Sequence, residues 1–277
     1  MRGMWGPADL VLCGGTLGAA DLLTLCDAAL AGGFQGVSLW PEHVERARAA
    51  GHRDVDLVAR LRDAGLGVAD LDPLLTWLPD EPVPAGFADE PTFYALAETF
   101  GARSLNLAQG FGRQLDRDRA AAALAGVCDR AAEHGLLVTL EYLPWSGIPD
   151  AAAALDIVER TGRPNATVMV DAWHTFRGPT DERQLRALPG ARIGGVQLND
   201  APAEPAEDLV AETLEARRLP GEGDVPLVEW IRILDAAGLS APIGVEVFST
   251  QLAALPADEV GRRCGDALRA VLAKARS

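Results

Sequence analysis

Short apolar runs recur along the chain, each followed by a longer Ala- and Leu-rich stretch with helical spacing, and this pair repeats eight times. The runs are Leu10–Thr16, Gly36–Trp40, Gly67–Asp72, Ser104–Ala108, Leu137–Leu143, Thr167–Asp171, Ile193–Leu198 and Ile243–Phe248. Most read as continuously apolar rather than alternating, the pattern of parallel strands buried on both faces. The stretches between them, such as Arg117–His134 and Pro149–Arg160, carry polar faces. Many end in a glycine suited to a left-handed C-cap: Gly32-Gly33, Gly65, Gly135 and Gly238 each precede a strand. Eight strand–helix units in 277 residues predict a single (β/α)8 TIM barrel spanning 1–277. The alternative is an open doubly wound sheet, which would want GxGxxG after an early strand. Gly14-Gly15-Thr16-Leu17-Gly18 does not fit that spacing. The longest connector, Asn199 to Gly223, holds Pro202, Pro205 and Pro220 and reads as a functional loop or lid.

Composition removes several classes of function. Forty Asp+Glu against twenty-five Lys+Arg leave a net charge of −15, which argues against a nucleic-acid partner held by phosphate contacts. That balance suits a divalent cation or a neutral polar substrate. The longest stretch without charge, Ala28 to Pro41, is shorter than the ~20 residues of a membrane span, so no membrane association is expected. Met1 to Leu10 lacks the pattern of a signal peptide. The scattered Cys13, Cys26, Cys128 and Cys264 read as small buried residues in a reducing compartment, and a cytoplasmic location is the default expectation.

In such a barrel the carboxyl ends of the strands converge on one mouth, where catalysis occurs. Four polar residues sit there in the second half of the chain: Glu141 in LVTLEYLPW, Asp171 in VMVDAWH, Gln197 in GGVQLND and Glu246 in IGVEVF. Taken singly, each acidic residue could cap the following helix or pair with Arg177, Arg192 or Arg217. Taken together on consecutive strands, three carboxylates would repel one another, and a shared cation relieves that repulsion. Three carboxylates and an amide oxygen make an all-oxygen shell, suited to Mg²⁺ or Mn²⁺.

The ordered set Glu141, Asp171-x-x-His174, Gln197-x-x-Asp200, Pro220-Gly-Glu-Gly-Asp224 and Glu246 resembles the xylose-isomerase-like TIM-barrel family of sugar isomerases, epimerases and related dehydratases. The resemblance implies that Glu141, Asp171, Gln197 and Glu246 bind one divalent metal. Many epimerases of the family carry His at the strand-7 position. Hydroxypyruvate-isomerase-like and some 3-dehydroshikimate-dehydratase-like members carry Gln, and QLNDAP and RRLPGEGD look like those dehydratase-type members. It further implies that Glu141 and Glu246 serve as proton donor and acceptor, and that His174 contacts substrate and moves protons. By the same likeness Arg217 binds a substrate hydroxyl or carboxylate through its planar fork.

Position alone adds further candidates. His43, following strand two in SLWPEH, could line the mouth and bind substrate, and Trp145, Trp40 and Trp77 could wall it. Asp200 could orient a ligand, and Glu222 could close the loop or cap a helix. The leading expectation is a metal-dependent isomerase or epimerase of a small keto-sugar or related polyol, working through a metal-stabilised enediolate. The alternatives are a dehydratase of the 3-dehydroshikimate or keto-inositol type, and a non-catalytic barrel subunit. A DNA-repair endonuclease and a two-metal xylose isomerase would both want more His than the four present. The expected partner is a small, unphosphorylated polyhydroxy carbonyl compound, and a homo-oligomer is possible.

Overall fold

Parallel ladders join the eight runs in chain order and return the last to the first. The strands are β1 (Leu10–Leu12), β2 (Gly36–Leu39), β3 (Gly67–Leu74), β4 (Ser104–Ala108), β5 (Leu137–Glu141), β6 (Ala166–Asp171), β7 (Ile193–Leu198) and β8 (Ile243–Val245). They form one closed barrel in the order β1 to β8. This computed structural model describes residues 5–79, 81–112 and 114–277, and the start of the Met1–Leu10 segment lies outside them. Among the described residues no helix is long and apolar enough to cross a membrane.

The helices explain part of the acidic balance. Asp21, Asp89, Asp116, Asp150, Asp171, Asp181 and Asp208 each accept a backbone N–H of the helix that follows. Each such cap stabilises its helix by roughly 0.5–2 kcal/mol. The glycines named as C-caps, Gly33, Gly65, Gly135 and Gly238, all have positive φ. The ring closes where the helix Ala257–Ala275 crosses the helix Leu22–Ala31. A Cβ on Gly261 would lie 1.9 Å from the Ala28 carbonyl oxygen, so no larger residue fits there.

One expectation is corrected. The strands are buried on both faces, yet they alternate. Leu105, Leu107, Val138, Leu140, Val168 and Val170 point outward into the main hydrophobic core between sheet and helices. The lumen side carries Asp70, Asp72, Ser104, Asn106, Thr139 and Glu141, all buried. These polar groups are tolerable inside because they bond across neighbouring strands. Thr139 Oγ1 donates to Asn106 Oδ1 (2.6 Å), and Ser104 Oγ donates to the Asp70 carboxylate.

The first and last strands are shorter than expected, for a side-chain reason. After β8, the Val247 N–H donates to Thr16 Oγ1 (3.0 Å), whose hydroxyl turns to the Val245 carbonyl, so a side chain replaces the ladder. The connector Asn199–Gly223, expected as a functional loop or lid, carries secondary structure of its own. It holds the helix Leu209–Glu215, and antiparallel bridges tie Asp200 to Arg218 and Ala216 to Ser249.

Candidate metal centre

The register puts the four strand-end residues on one face. Asp171 pairs with Gln197 directly, Glu141 pairs with Met169 two residues before Asp171, and Gln197 pairs with Gly244 two residues before Glu246. Steps of two preserve the face of a strand, so all four side chains enter the lumen.

Asp171 ends β6 and caps the helix Ala172–Arg177. Its Oδ1 accepts the backbone N–H of His174 (2.9 Å), and its Oδ2 accepts from Asn199 Nδ2 (2.8 Å) and Arg217 Nη1 (3.1 Å). Because the carboxylate makes the cap, the His174 ring is left for the cavity. Its Nε2 lies 3.4 Å from Glu141 Oε1, and its Nδ1 is buried without a hydrogen-bond partner. Glu141 is held from below by Asn106, whose Nδ2 donates both to Glu141 Oε2 (2.8 Å) and to Asp72 Oδ1 (2.9 Å).

Arg217 reaches the centre because the connector pairs with the chain after β8, its N–H donating to the Phe248 carbonyl (2.9 Å). The guanidinium is pinned by Thr213, receiving no freedom to swing: Nη2 donates to Thr213 Oγ1 (2.8 Å) and Nε to the Thr213 carbonyl (3.0 Å). It lies over the Phe248 ring, 4.7 Å from the centroid, and bridges Asp171 to Glu246, whose Oε2 is 3.5 Å from Nη1. Arg218, by contrast, is exposed.

Glu141, Asp171 and Glu246 thus gather round one arginine with Asp72 close by, and crowding shifts the proton affinities of Glu141, Glu246 and Asp72. Burial first, then the charges of Asp72 and Asp171, hold Glu141 well above the usual carboxylate range. Glu246 is raised likewise by burial and by Asp72, with Arg217 opposing. Asp72 is raised to about 6, mainly by burial. The His174 imidazole is lowered to about 3, again by burial, with Arg217 adding to it. The ring is therefore neutral near pH 7.

Glu141, Asp171 and His174 each offer a donor atom within 4.8 Å of the others, a candidate metal site. The donor set fits a divalent cation on two counts. It concentrates negative charge, and beside Asp171 the Gln197 Oε1 atom is buried with no partner. An unpaired buried carbonyl oxygen costs about 1–3 kcal/mol unless a donor or a cation meets it. The cluster differs from the sequence expectation in bringing His174 in among the possible ligands, which turns an all-oxygen set into a mixed one.

A cavity of about 620 Å³ opens above the centre. Glu141, His174, Arg217, Glu246 and Trp145 line it, as does Trp40, while Asp171 and Gln197 lie beneath its floor. Three candidates are placed elsewhere. His43 is fully buried and does not reach the cavity: its Nδ1 accepts the Trp40 N–H (3.0 Å), and its Nε2 meets the Leu17 carbonyl (3.4 Å). Trp77 packs beneath, donating to the Ala108 carbonyl (2.9 Å). Asp200 spends its carboxylate on the N–H groups of Gly221 (2.8 Å) and Val225 (3.0 Å), which fastens the PGEGD turn rather than a ligand. Glu222 is exposed on that turn.

Sequence reasoning passed over Asp72 and Asn106. Asp72 lines the cavity beside Trp40, whose side chain interacts with the Asp72 carboxylate. The available signal was a carboxylate and an amide at alternate positions of the apolar runs GVADLDPL and SLNLA.

Comparison with known proteins follows the same lines. Residues 26–269 match the model of the xylose isomerase-like TIM barrel. The 3-dehydroshikimate dehydratase of Pseudomonas aeruginosa is 32% identical over 134 residues, covering 48% of this chain and 21% of that protein. The inosose isomerase of Bacillus velezensis is 26% identical over 156 residues, 56% of this chain and 55% of that protein. The chain thus spans about a fifth of the one relative and about half of the other. The crystal structure of an IOLI protein with a bound zinc atom superposes with a TM-score of 0.85 at 18% identity, covering 96% of this chain and 99% of that one.

Proposed function

This chain belongs to the xylose isomerase-like TIM barrel family, and from that premise we propose that it is a divalent-metal-dependent isomerase or epimerase of a small keto-sugar or related polyol. One observation carries the reading. Glu141 and Glu246, from the ends of different strands, line one cavity beside the Glu141/Asp171/His174 cluster and the unpartnered Gln197 Oε1 and His174 Nδ1 atoms.

Glu141, Asp171, Gln197 and Glu246, with His174 beside them, would hold the cation. The mixed set admits Zn²⁺ as well as Mn²⁺ or Mg²⁺. When bound, such an ion supplies a Lewis acid that lowers the cost of negative charge developing on a carbonyl oxygen. The remaining work falls to the side chains. One of Glu141 and Glu246 takes the proton from the carbon beside the carbonyl, and the other returns it. Because a carboxylate has two oxygens, one can ligate the cation while the other takes or returns the proton. Neutral His174 contacts a substrate hydroxyl and relays its proton. Arg217, already fixed by Thr213, orients an oxygen of the substrate without losing side-chain freedom on binding. Trp145, edge-on to His174 at 5.6 Å between ring centroids, holds the imidazole against the cavity wall.

A second reading is a dehydratase that passes through the same enolate and expels a β-hydroxyl. It is favoured by the unpaired, buried Nδ1 of His174, an available acid–base atom, and by the likeness to the Pseudomonas dehydratase. Incubation with ketohexoses and with 3-dehydroshikimate in deuterated water, with Mn²⁺, separates the two. Deuterium entering the α-carbon with an isomeric product supports the isomerase, and a conjugated product absorbing in the ultraviolet supports the dehydratase. Activity that survives chelation on every accepted substrate would defeat both.

A further inference from the structure

Among the described residues six large hydrophobic side chains are exposed, and four of them surround a single opening. Phe87 (42% exposed), Phe111 (41%), Val210 (47%) and Leu214 (56%) all line the cavity above the metal centre. Phe87 follows β3 and Phe111 follows β4, their rings tilted at 60° with centroids 5.4 Å apart. Val210 and Leu214 lie one turn apart on the helix Leu209–Glu215, which follows β7 and so comes from the far side of the ring. Below this rim the wall continues through Leu75, Phe93 and Leu143. The charged groups gather at the floor, with Glu42 the exception higher up.

The hydroxyls of a keto-sugar or polyol match the floor of this cavity but not its rim. Hydroxyls set against carbon lose water and gain no partner, at roughly 1–3 kcal/mol for each group left unpaired. The volume, about 620 Å³, falls in the range of ~300–1,000 Å³ that takes drug-sized ligands. Exposed apolar surface gathered at one mouth is also a liability for solubility unless a ligand uses it. We propose that the substrate carries an apolar, ring-sized group beyond its α-hydroxycarbonyl end, and that this group packs against Phe87, Phe111, Val210 and Leu214. The polar end of this assignment rests on the function proposed above; the apolar end rests on the rim alone.

Calorimetric titration of the full chain, with and without Mn²⁺, tests both ends separately. The ligands are hydroxyacetone, D-fructose and 1-hydroxy-4-phenylbutan-2-one. Burial of a phenyl group should make the third bind on the order of tenfold to a hundredfold more tightly than the other two. Most of that advantage should persist without the metal and vanish in a Phe87→Ser/Phe111→Ser variant. Val210→Ser/Leu214→Ser is the second variant, should the first fail to fold, and should also reduce the advantage. Phenyl-ligand binding no tighter than that of the other two, including no detectable binding of any, would overturn the proposal. So would an advantage untouched by either variant, or a variant that changes only the oligomeric state, since the rim would then cover a second copy. A phenyl advantage that persists while no ligand responds to Mn²⁺ upholds the apolar assignment and overturns the metal-dependent reading of the polar end.

Discussion

Two corners of the barrel mouth share one spacing and use it in opposite ways. After β2 the helix Pro41–Ala49 is entered through Trp40-x-x-His43; after β6 the helix Ala172–Arg177 is entered through Asp171-x-x-His174. At the first corner the capping residue has no carboxylate, so the histidine ring accepts the Trp40 N–H and gives its other nitrogen to the Leu17 carbonyl. At the second the Asp171 carboxylate makes the cap, so the ring keeps Nδ1 unpaired and turns Nε2 toward Glu141 (3.4 Å) and Arg217 (3.5 Å) of the candidate centre. Burial depresses both imidazoles, His43 to about 4 and His174 to about 3. Proton affinity therefore does not distinguish them. What distinguishes them is whether a neighbour has already spoken for the ring.

The sharpest way to break this contrast is at Asp171. Asn caps a helix nearly as well as Asp, so Asp171→Asn should preserve the corner while removing the charge. Turnover should fall by about 10³-fold or more, and retained metal, read by atomic emission after gel filtration, should fall by tenfold or more. Unchanged turnover would remove Asp171 from the centre.

Next come the histidines as a pair. His174→Asn should lower turnover by about 10²–10⁴-fold with little change in thermal midpoint. His43→Asn should do the reverse. Loss of two buried hydrogen bonds, roughly 2 kcal/mol, lowers the midpoint by about 4–8 °C while turnover well below it stays within about threefold. Equal effects of the two variants on both readouts would collapse the distinction.

Acid sharpens the comparison further. The folded His43 takes a proton only near pH 4, the unfolded one near 6.5. Its contribution to stability is thus complete above about pH 6.5 and is lost as the pH falls toward 4, by roughly 3 kcal/mol. Asp72, raised to about 6, acts in the opposite sense, gaining stability as it is protonated on the way down. Denaturant melts of wild type and His43→Asn at steps between pH 7.5 and 4.5 isolate the first effect as a difference that narrows in acid. A constant difference would show that the ring is not buried neutral.

The smallest expected effect concerns Asp72. Its charge is the largest of the neighbouring charges that raise Glu141 and Glu246. Asp72→Asn should move the acid limb of the pH–rate profile toward lower pH, with the plateau rate changed by less than about tenfold. A limb that stays put would mean that the titrating group lies elsewhere.

The barrel was legible because apolar runs recur eight times and several follow a C-cap glycine (Gly33, Gly65, Gly135, Gly238), signals that depend only on local chain geometry. Glu141, Asp171, Gln197 and Glu246 stood out as polar residues closing apolar runs. Asp72, which closes the run Gly67–Asp72, and Asn106, inside Ser104–Ala108, were passed over, because the contacts that bring them beneath Glu141 arise only once β3, β4 and β5 are paired. His43 and His174 look alike in sequence, since the capping partner that separates them acts through a bond rather than a spacing. The connector after β7 reads as a functional loop or lid on the strength of its length. Its internal bridge, Asp200 to Arg218, and its bridge from Ala216 to Ser249 join residues far apart along the chain, which no local pattern announces.

The division between a carbon-rich annulus and a hydrogen-bonded lumen has a consequence for how such a chain can change over time. The adhesion that keeps it folded resides in Leu105, Leu107, Val138, Leu140 and their outward neighbours, on the opposite faces of the strands from the chemistry. Exchanges among the inward Ser, Thr, Asn, Asp, Gln and Glu positions redraw the reactive surface while the annulus goes on supporting the ring. Such a scaffold can migrate from one reaction to a neighbouring one by lumen edits alone, and variant libraries confined to those inward positions should stay folded far more often than libraries aimed at the annulus.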